Sequence, residues 1–252
     1  MNKTMIIAIA VSSILSMGVA VAEEEEDTEG FESQFVAGLT LTEGNSETLA
    51  INGGASTKKI DGDRQCMAGV DFNYGEQTST TSGKTETTVE NVTAFAQSKK
   101  NLREKTYGYF GADFLYDDIA AVDYRVTLGP GIGRSLMKDA NATLDVEAGV
   151  VWVFEDVADV DDDYAALRVA QTYERDLSET ARVWQLLEWI PEFEDSDNVL
   201  VNFEIGAEAA MTGNMSLRVV LRNRYDNTPG IVNGVELDEN DLSLIAGVAI
   251  KL

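Results

Sequence analysis

Asp241-Leu242-Ser243-Leu244-Ile245-Ala246-Gly247-Val248-Ala249-Ile250-Lys251-Leu252 is the stretch whose reading decides the fold. Leu242, Leu244, Ala246, Val248, Ile250 and Leu252 share one face. Ser243, Gly247, Ala249 and Lys251 share the other, with Ile245 the bulky exception. A period of two with one apolar face marks a β-strand. As the last strand of an open sheet it would be an edge hazard. In a closed barrel it is the seam that pairs with the first strand, and Phe35–Leu41 is the expected partner.

The same alternation recurs upstream. Twelve strand-like segments are expected: Ser33–Thr42, Glu47–Lys58, Arg64–Glu76, Glu86–Ser98, Lys105–Tyr116, Tyr124–Leu136, Ala142–Phe154, Tyr164–Arg175, Ala181–Pro191, Val199–Met211, Met215–Tyr225 and the closing stretch. The seventh is the clearest, with Leu144, Val146, Ala148, Val150, Trp152 and Phe154 on one face against Thr143, Asp145, Glu147 and Gly149. In the fourth, Val92, Ala94 and Ala96 compete with Val89 and Phe95 for the outer face. In the ninth, Val183, Leu187 and Trp189 are taken as outward.

The N-terminal region sets the compartment. Lys3, an apolar run from Met5 to Val21, and Ala20-Val21-Ala22 before the acidic Glu23 read as a secretory signal peptide over residues 1–22. Residues 23–30 read as an acidic disordered stretch, and residues 31–252 as the barrel. No later apolar run approaches the ~18–20 residues of a membrane helix. Membrane residence therefore requires a β-barrel, the other structure that satisfies its backbone internally.

Composition excludes several functions. The formal charge of −25 disfavours nucleic acid as a partner. With no histidine in the chain, Ser-His and Cys-His catalysis and His-ligated metals are absent, and no enzyme is expected. The single cysteine, Cys66, is in phase with Ala68, Val70 and Phe72, so it reads as a small outward residue.

Three features favour a membrane barrel over a soluble one. Twelve residues at ~3.3 Å rise and a ~40° tilt cover the ~25 Å apolar band of such barrels. Connections after odd strands are longer and more acidic (77–85, 117–123, 155–163, 192–198, 226–240) than those after even strands, although Glu43–Ser46 fits poorly. Tyr74, Tyr116, Tyr124, Trp152, Phe154, Trp189 and Tyr225 form an aromatic girdle on the long-loop side, with Phe35, Tyr107 and Tyr173 below. The opposite face then carries charge. Arg125, Asp145, Glu147, Arg168, Glu204, Glu208, Arg218, Arg222 and Arg224 are expected to line the lumen, because in a dry core each would be costly unless paired.

Gly38-Leu39-Thr40-Leu41-Thr42-Glu43-Gly44-Asn45-Ser46-Glu47-Thr48, taken with Tyr124-Arg125-Val126-Thr127-Leu128-Gly129-Pro130-Gly131-Ile132-Gly133, resembles the YdiY-like salt-induced outer-membrane proteins, a family whose domain has no known function. The resemblance implies an outer-membrane β-barrel of Gram-negative bacteria and supplies no catalytic residues. Such barrels usually end in an aromatic residue, and this chain ends in Leu252.

Other motifs read blandly. Gly129, Gly131 and Gly133 are spaced by two inside a strand, so they ease lumen crowding and do not form a nucleotide loop. Asp159-Val160-Asp161-Asp162-Asp163 begins like a calcium loop but has Tyr164 where that loop needs glycine. A solvated acidic loop is favoured, and carboxylate density leaves weak divalent-cation binding as an expectation.

The fold expected is thus an all-β, twelve-stranded antiparallel transmembrane barrel with both termini periplasmic. The expected partners are outer-membrane lipid and the barrel assembly machinery, and the expected state is a monomer without cofactor. The leading functional reading is a narrow passive channel for ions or small solutes, with salt stress resting on the family resemblance. The alternatives are a closed structural barrel and a secreted soluble barrel holding a small apolar ligand.

Overall fold

A computed structural model describes residues 30–42, 46–80 and 82–252. The expected signal peptide, the acidic stretch before Gly30 and the turn at 43–45 lie outside the described residues. The strands are β1 (Phe31–Thr42), β2 (Ser46–Asp61), β3 (Arg64–Ser79), β4 (Thr85–Arg103), β5 (Thr106–Asp117), β6 (Val122–Lys138), β7 (Ala142–Val157), β8 (Val160–Ser178), β9 (Ala181–Pro191), β10 (Val199–Ala210), β11 (Met215–Asp226), β12 (Ile231–Val232), β13 (Val235–Glu236) and β14 (Asn240–Lys251). All but β12 and β13 form one closed antiparallel barrel, each paired with its sequence neighbour. β12 and β13 are a small hairpin in the β11–β14 loop, turned by Asn233 and Gly234 at positive φ.

The closing stretch is the seam. Phe35 pairs with Ile250 and Ala37 with Val248. On its other side Leu217 pairs with Val248, Val219 with Ala246 and Leu221 with Leu244. Closure leaves no strand edge for another chain to pair with. Gly247 is needed at this seam, since a Cβ there would lie 2.7 Å from the Ala37 carbonyl oxygen.

The apolar faces point outward. Leu39, Phe110, Ile132, Trp152, Leu217 and Leu244 are between 46% and 71% exposed around the barrel. Exposure on that scale in water would drive association. It also removes the apolar interior that a soluble ligand-binding barrel needs. Cys66 is exposed on the outer wall beside Ser98.

Several strands run further than alternation alone suggests. β4 and β8 each span 19 residues. The stretch read as an acidic loop at 155–163 is mostly paired strand, with Glu155 opposite Asp162, Asp156 opposite Asp161 and Val157 opposite Val160. Only Ala158 and Asp159 turn, both at positive φ. Carboxylates do not oppose strand pairing where the chain is solvated. In an extended strand, successive ones point to opposite sides, so the run does not wrap as a calcium loop does. Among the described residues no group of three or more His, Cys, Asp or Glu is placed to hold a metal.

Val219 is outward and mid-strand, so Val219→Arg should cost about 2–4 kcal/mol in a bilayer. It is expected to deplete the folded species that migrates anomalously on unheated gels. Gly247→Ala, which is mild in transfer terms, should also impair folding because it strains the seam.

Candidate functional site

Inside the barrel the alternate positions of neighbouring strands meet. On β5, Tyr107, Tyr109, Asp113 and Asp117 share the inner phase. On β6, a Cβ at Gly133 would overlap the Tyr107 ring, and one at Gly131 would overlap the Tyr109 ring. The glycine run thus seats two tyrosines flat against the wall. Tyr107 is 5% exposed and donates to Glu147 at 2.9 Å, so it belongs to the interior and not to the lower girdle. It has the same phase as Tyr109, which position along the strand alone does not reveal. Tyr116 is also buried, while Tyr124, Trp152, Phe154 and Trp189 are exposed on the outer side.

Three charged clusters occupy the lumen. In the first, Glu147 lies between Lys99 at 2.8 Å and Arg168 at 2.9 Å. Arg168 also binds Glu188 and donates to the Tyr109 hydroxyl at 2.9 Å. Asp145 is within 3.4 Å of the Tyr107 hydroxyl. β4 and β7 are three strands apart in the barrel, so Lys99 reaches Glu147 only through the interior.

The second cluster joins β9, β10, β11 and β3. Arg222 binds Glu204 at 2.8 Å and lies 3.9 Å from Asp71. Trp184 donates its indole N–H to Glu204 at 2.8 Å, and Arg218 stacks over its ring. Beside this cluster is a cavity of about 30 Å³, room for water, lined in part by Asn52, Asp71, Asn73, Arg218 and Arg222. Nearer the short-turn end, Glu208 binds Arg182 at 2.8 Å and accepts from Ser216 at 2.6 Å.

The third cluster is at the long-loop end. Arg224 on β11 binds Asp117 on β5 at 3.0 Å. In the twelve-strand order these two strands are diametrically opposite. Arg125 on β6 binds Glu155 beside it and Asp226 on β11 at 2.6 Å. Above them the β11–β14 loop leans along the rim. The Thr228 hydroxyl donates to Asn198, and the buried Gly230 packs against Val157 and Ala158. Ala158 in turn donates its backbone N–H to Ala121. On the β7–β10 wall at this end, Val151, Val153, Tyr164, Ala166, Ile190 and Leu200 form an apolar cluster, an inward core that a purely polar lumen does not anticipate.

All nine charges expected in the lumen thus enter these clusters. Lys99, Arg182, Asp71, Asp117, Glu155, Glu188, Asp226 and Trp184 join them there. Glu188 and Trp184 lie on the strand whose phase is ambiguous. Asp117, Glu155 and Asp226 were read as loop because charge and turn residues crowd there.

The sequence profile of a family described as "protein of unknown function, DUF481" matches residues 36–249. The chain belongs to the DUF481 family. None of the curated proteins compared with it matches. Solved structures that share its fold include the following two. The NanC porin has a TM-score of 0.53 at 10% identity, with 88% of this chain and all of that one covered. The translocator domain of the autotransporter NalP from Neisseria meningitidis has a TM-score of 0.50 at 10% identity, covering 99% of this chain and 98% of that one. At such identity the likeness concerns the fold. Both are outer-membrane barrels, in keeping with the outward apolar faces of this member of DUF481.

Glu147→Gln should expose the importance of this interior pairing. It keeps the shape and removes the charge that Lys99 and Arg168 share. Stability in urea should fall by about 3 kcal/mol, the lower end of the cost of breaking a buried pair. An unchanged midpoint would mean that water already solvates these cations.

Proposed function

We propose that this protein is an outer-membrane β-barrel forming a narrow passive conduit for water and small ions, with a lumen too bridged for larger solutes. The observation that carries the reading is the pairing of opposite walls, Arg224 with Asp117 and Arg125 with Asp226, above a lumen that holds two further charged clusters. Charged rings in narrow pores select and throttle ions. A wide porin would keep such side chains apart.

The signal-like segment at 1–22 supports export, and the even strand number puts both barrel ends on the side of the short turns, which this reading makes periplasmic. The apolar exterior supports contact with outer-membrane lipid and insertion by the assembly machinery, as a monomer. Membership of the YdiY-like group within DUF481, and with it a role in salt stress, rests on the two quoted sequence motifs. A second reading, a closed structural barrel, is favoured by the same diametric ion pairs.

Planar-bilayer recording separates the two. The conduit should give small, steady conductance steps, and Arg224→Ala should enlarge them by opening the outer bridge. A membrane that stays sealed at high loads of both proteins would contradict the conduit and favour the structural barrel.

A further inference from the structure

The charges in the lumen are not equally available to a passing ion. The arginines and the lysine of the clusters are mostly withdrawn into pairs, apart from Arg182 near the short-turn end, whose side chain stays 44% exposed beside Glu208. The side chains of Lys99, Arg125, Arg168, Arg222 and Arg224 are between 12% and 20% exposed. Two carboxylates are different. Asp71 on β3 keeps 43% of its side chain exposed, its nearest cation being Arg222 at 3.9 Å. Asp113 on β5 is solvent-exposed although it shares the inner phase of Tyr109 and Asp117. Its side chain has no ion pair or hydrogen bond among the described residues. Between them on β4, Phe95 lies over Gly69 and is 38% exposed, also from the inner face. Inward residues that remain accessible mark water, so the β3–β5 wall carries a wet strip and the clusters fill the rest.

The balance of charge points the same way. On the β4–β9 side, two cations, Lys99 and Arg168, pair with Glu147 and Glu188, while Asp145 bonds to the Tyr107 hydroxyl and Asp113 adds a fourth carboxylate, unpaired among the described residues. At the long-loop end, two arginines, Arg125 and Arg224, meet three carboxylates, Asp117, Glu155 and Asp226. The opposing feature is Arg218, which has no carboxylate partner within ion-pair distance among the described residues. Its guanidinium is held over the Trp184 ring, 4.7 Å from the centroid, on the opposite wall.

Resting on the conduit reading, we infer that the passage selects cations, with Asp71 and Asp113 on the wet β3–β5 strip as its specificity-determining residues. A narrow, low-dielectric channel magnifies the effect of fixed charge on the ions inside it. A small monovalent cation, partly hydrated, would meet these two accessible carboxylates in turn. An anion would meet cations already neutralised by partners, Arg218 over the Trp184 ring excepted.

The test is the zero-current potential of the full-length protein in planar bilayers across a potassium chloride gradient. The wild type should give the sign of a cation-selective pore. Asp71→Asn and Asp113→Asn should each move the potential toward zero, and the double variant furthest, while Asp195→Asn on the outer loop leaves it unchanged. Conductance with an anion-selective sign, or a potential that neither substitution moves, would overturn the selectivity and leave the conduit standing. No conductance from the wild type would overturn the conduit, and the selectivity with it.

Discussion

A charge placed inside a narrow barrel has little bulk water to answer it, and here most are answered by an opposite charge, at the long-loop end across the lumen. The side chains of Arg224 and Arg125 are long enough to meet carboxylates on strands five and six places away. Such pairs restrict the lumen and tie its walls together in one step. They also explain why the interior tolerates so many ionisable groups. Asp117, Glu147, Glu155 and Glu208 are buried and each has a cation beside it, and Glu147 and Glu208 also accept from hydroxyl groups.

The outside follows a separate rule. Backbone hydrogen bonds are satisfied strand to strand around the ring, so side chains alone set the solvent. Leucine, isoleucine, phenylalanine and tryptophan outward suit hydrocarbon, and the closed seam at β1 and β14 leaves no edge. The two rules are compatible because side chains alternate with a period of two. The glycines on β6 and Gly206 under Trp184 let large aromatic rings lie on the wall without filling the lumen.

Period two made the barrel, its strand count and its seam legible in the sequence. Local patterns do not contain the partners. That Lys99 faces Glu147, or Asp117 faces Arg224, depends on closure and tilt, which join residues far apart in the chain. Tyr107 was misplaced because nearness to a strand end resembled a girdle, whereas its phase with Tyr109 put it inside. The acidic run at Asp161–Asp163 read as loop because charge usually marks one, yet pairing with Phe154–Asp156 keeps it in a strand. Phe95 was ambiguous because it is a bulky apolar side chain in the inner phase of β4, opposite Gly69, whereas most such side chains here face out.

The claim on which all of this rests is that opposite walls are coupled through the lumen. A double-mutant cycle of Asp117→Asn and Arg224→Gln, read as unfolding free energy in lipid, measures that coupling directly. The bridged lumen predicts an interaction of about 1 kcal/mol or more, within the range found for paired residues in contact. Strictly additive effects would mean that the two walls do not meet, and would contradict the account.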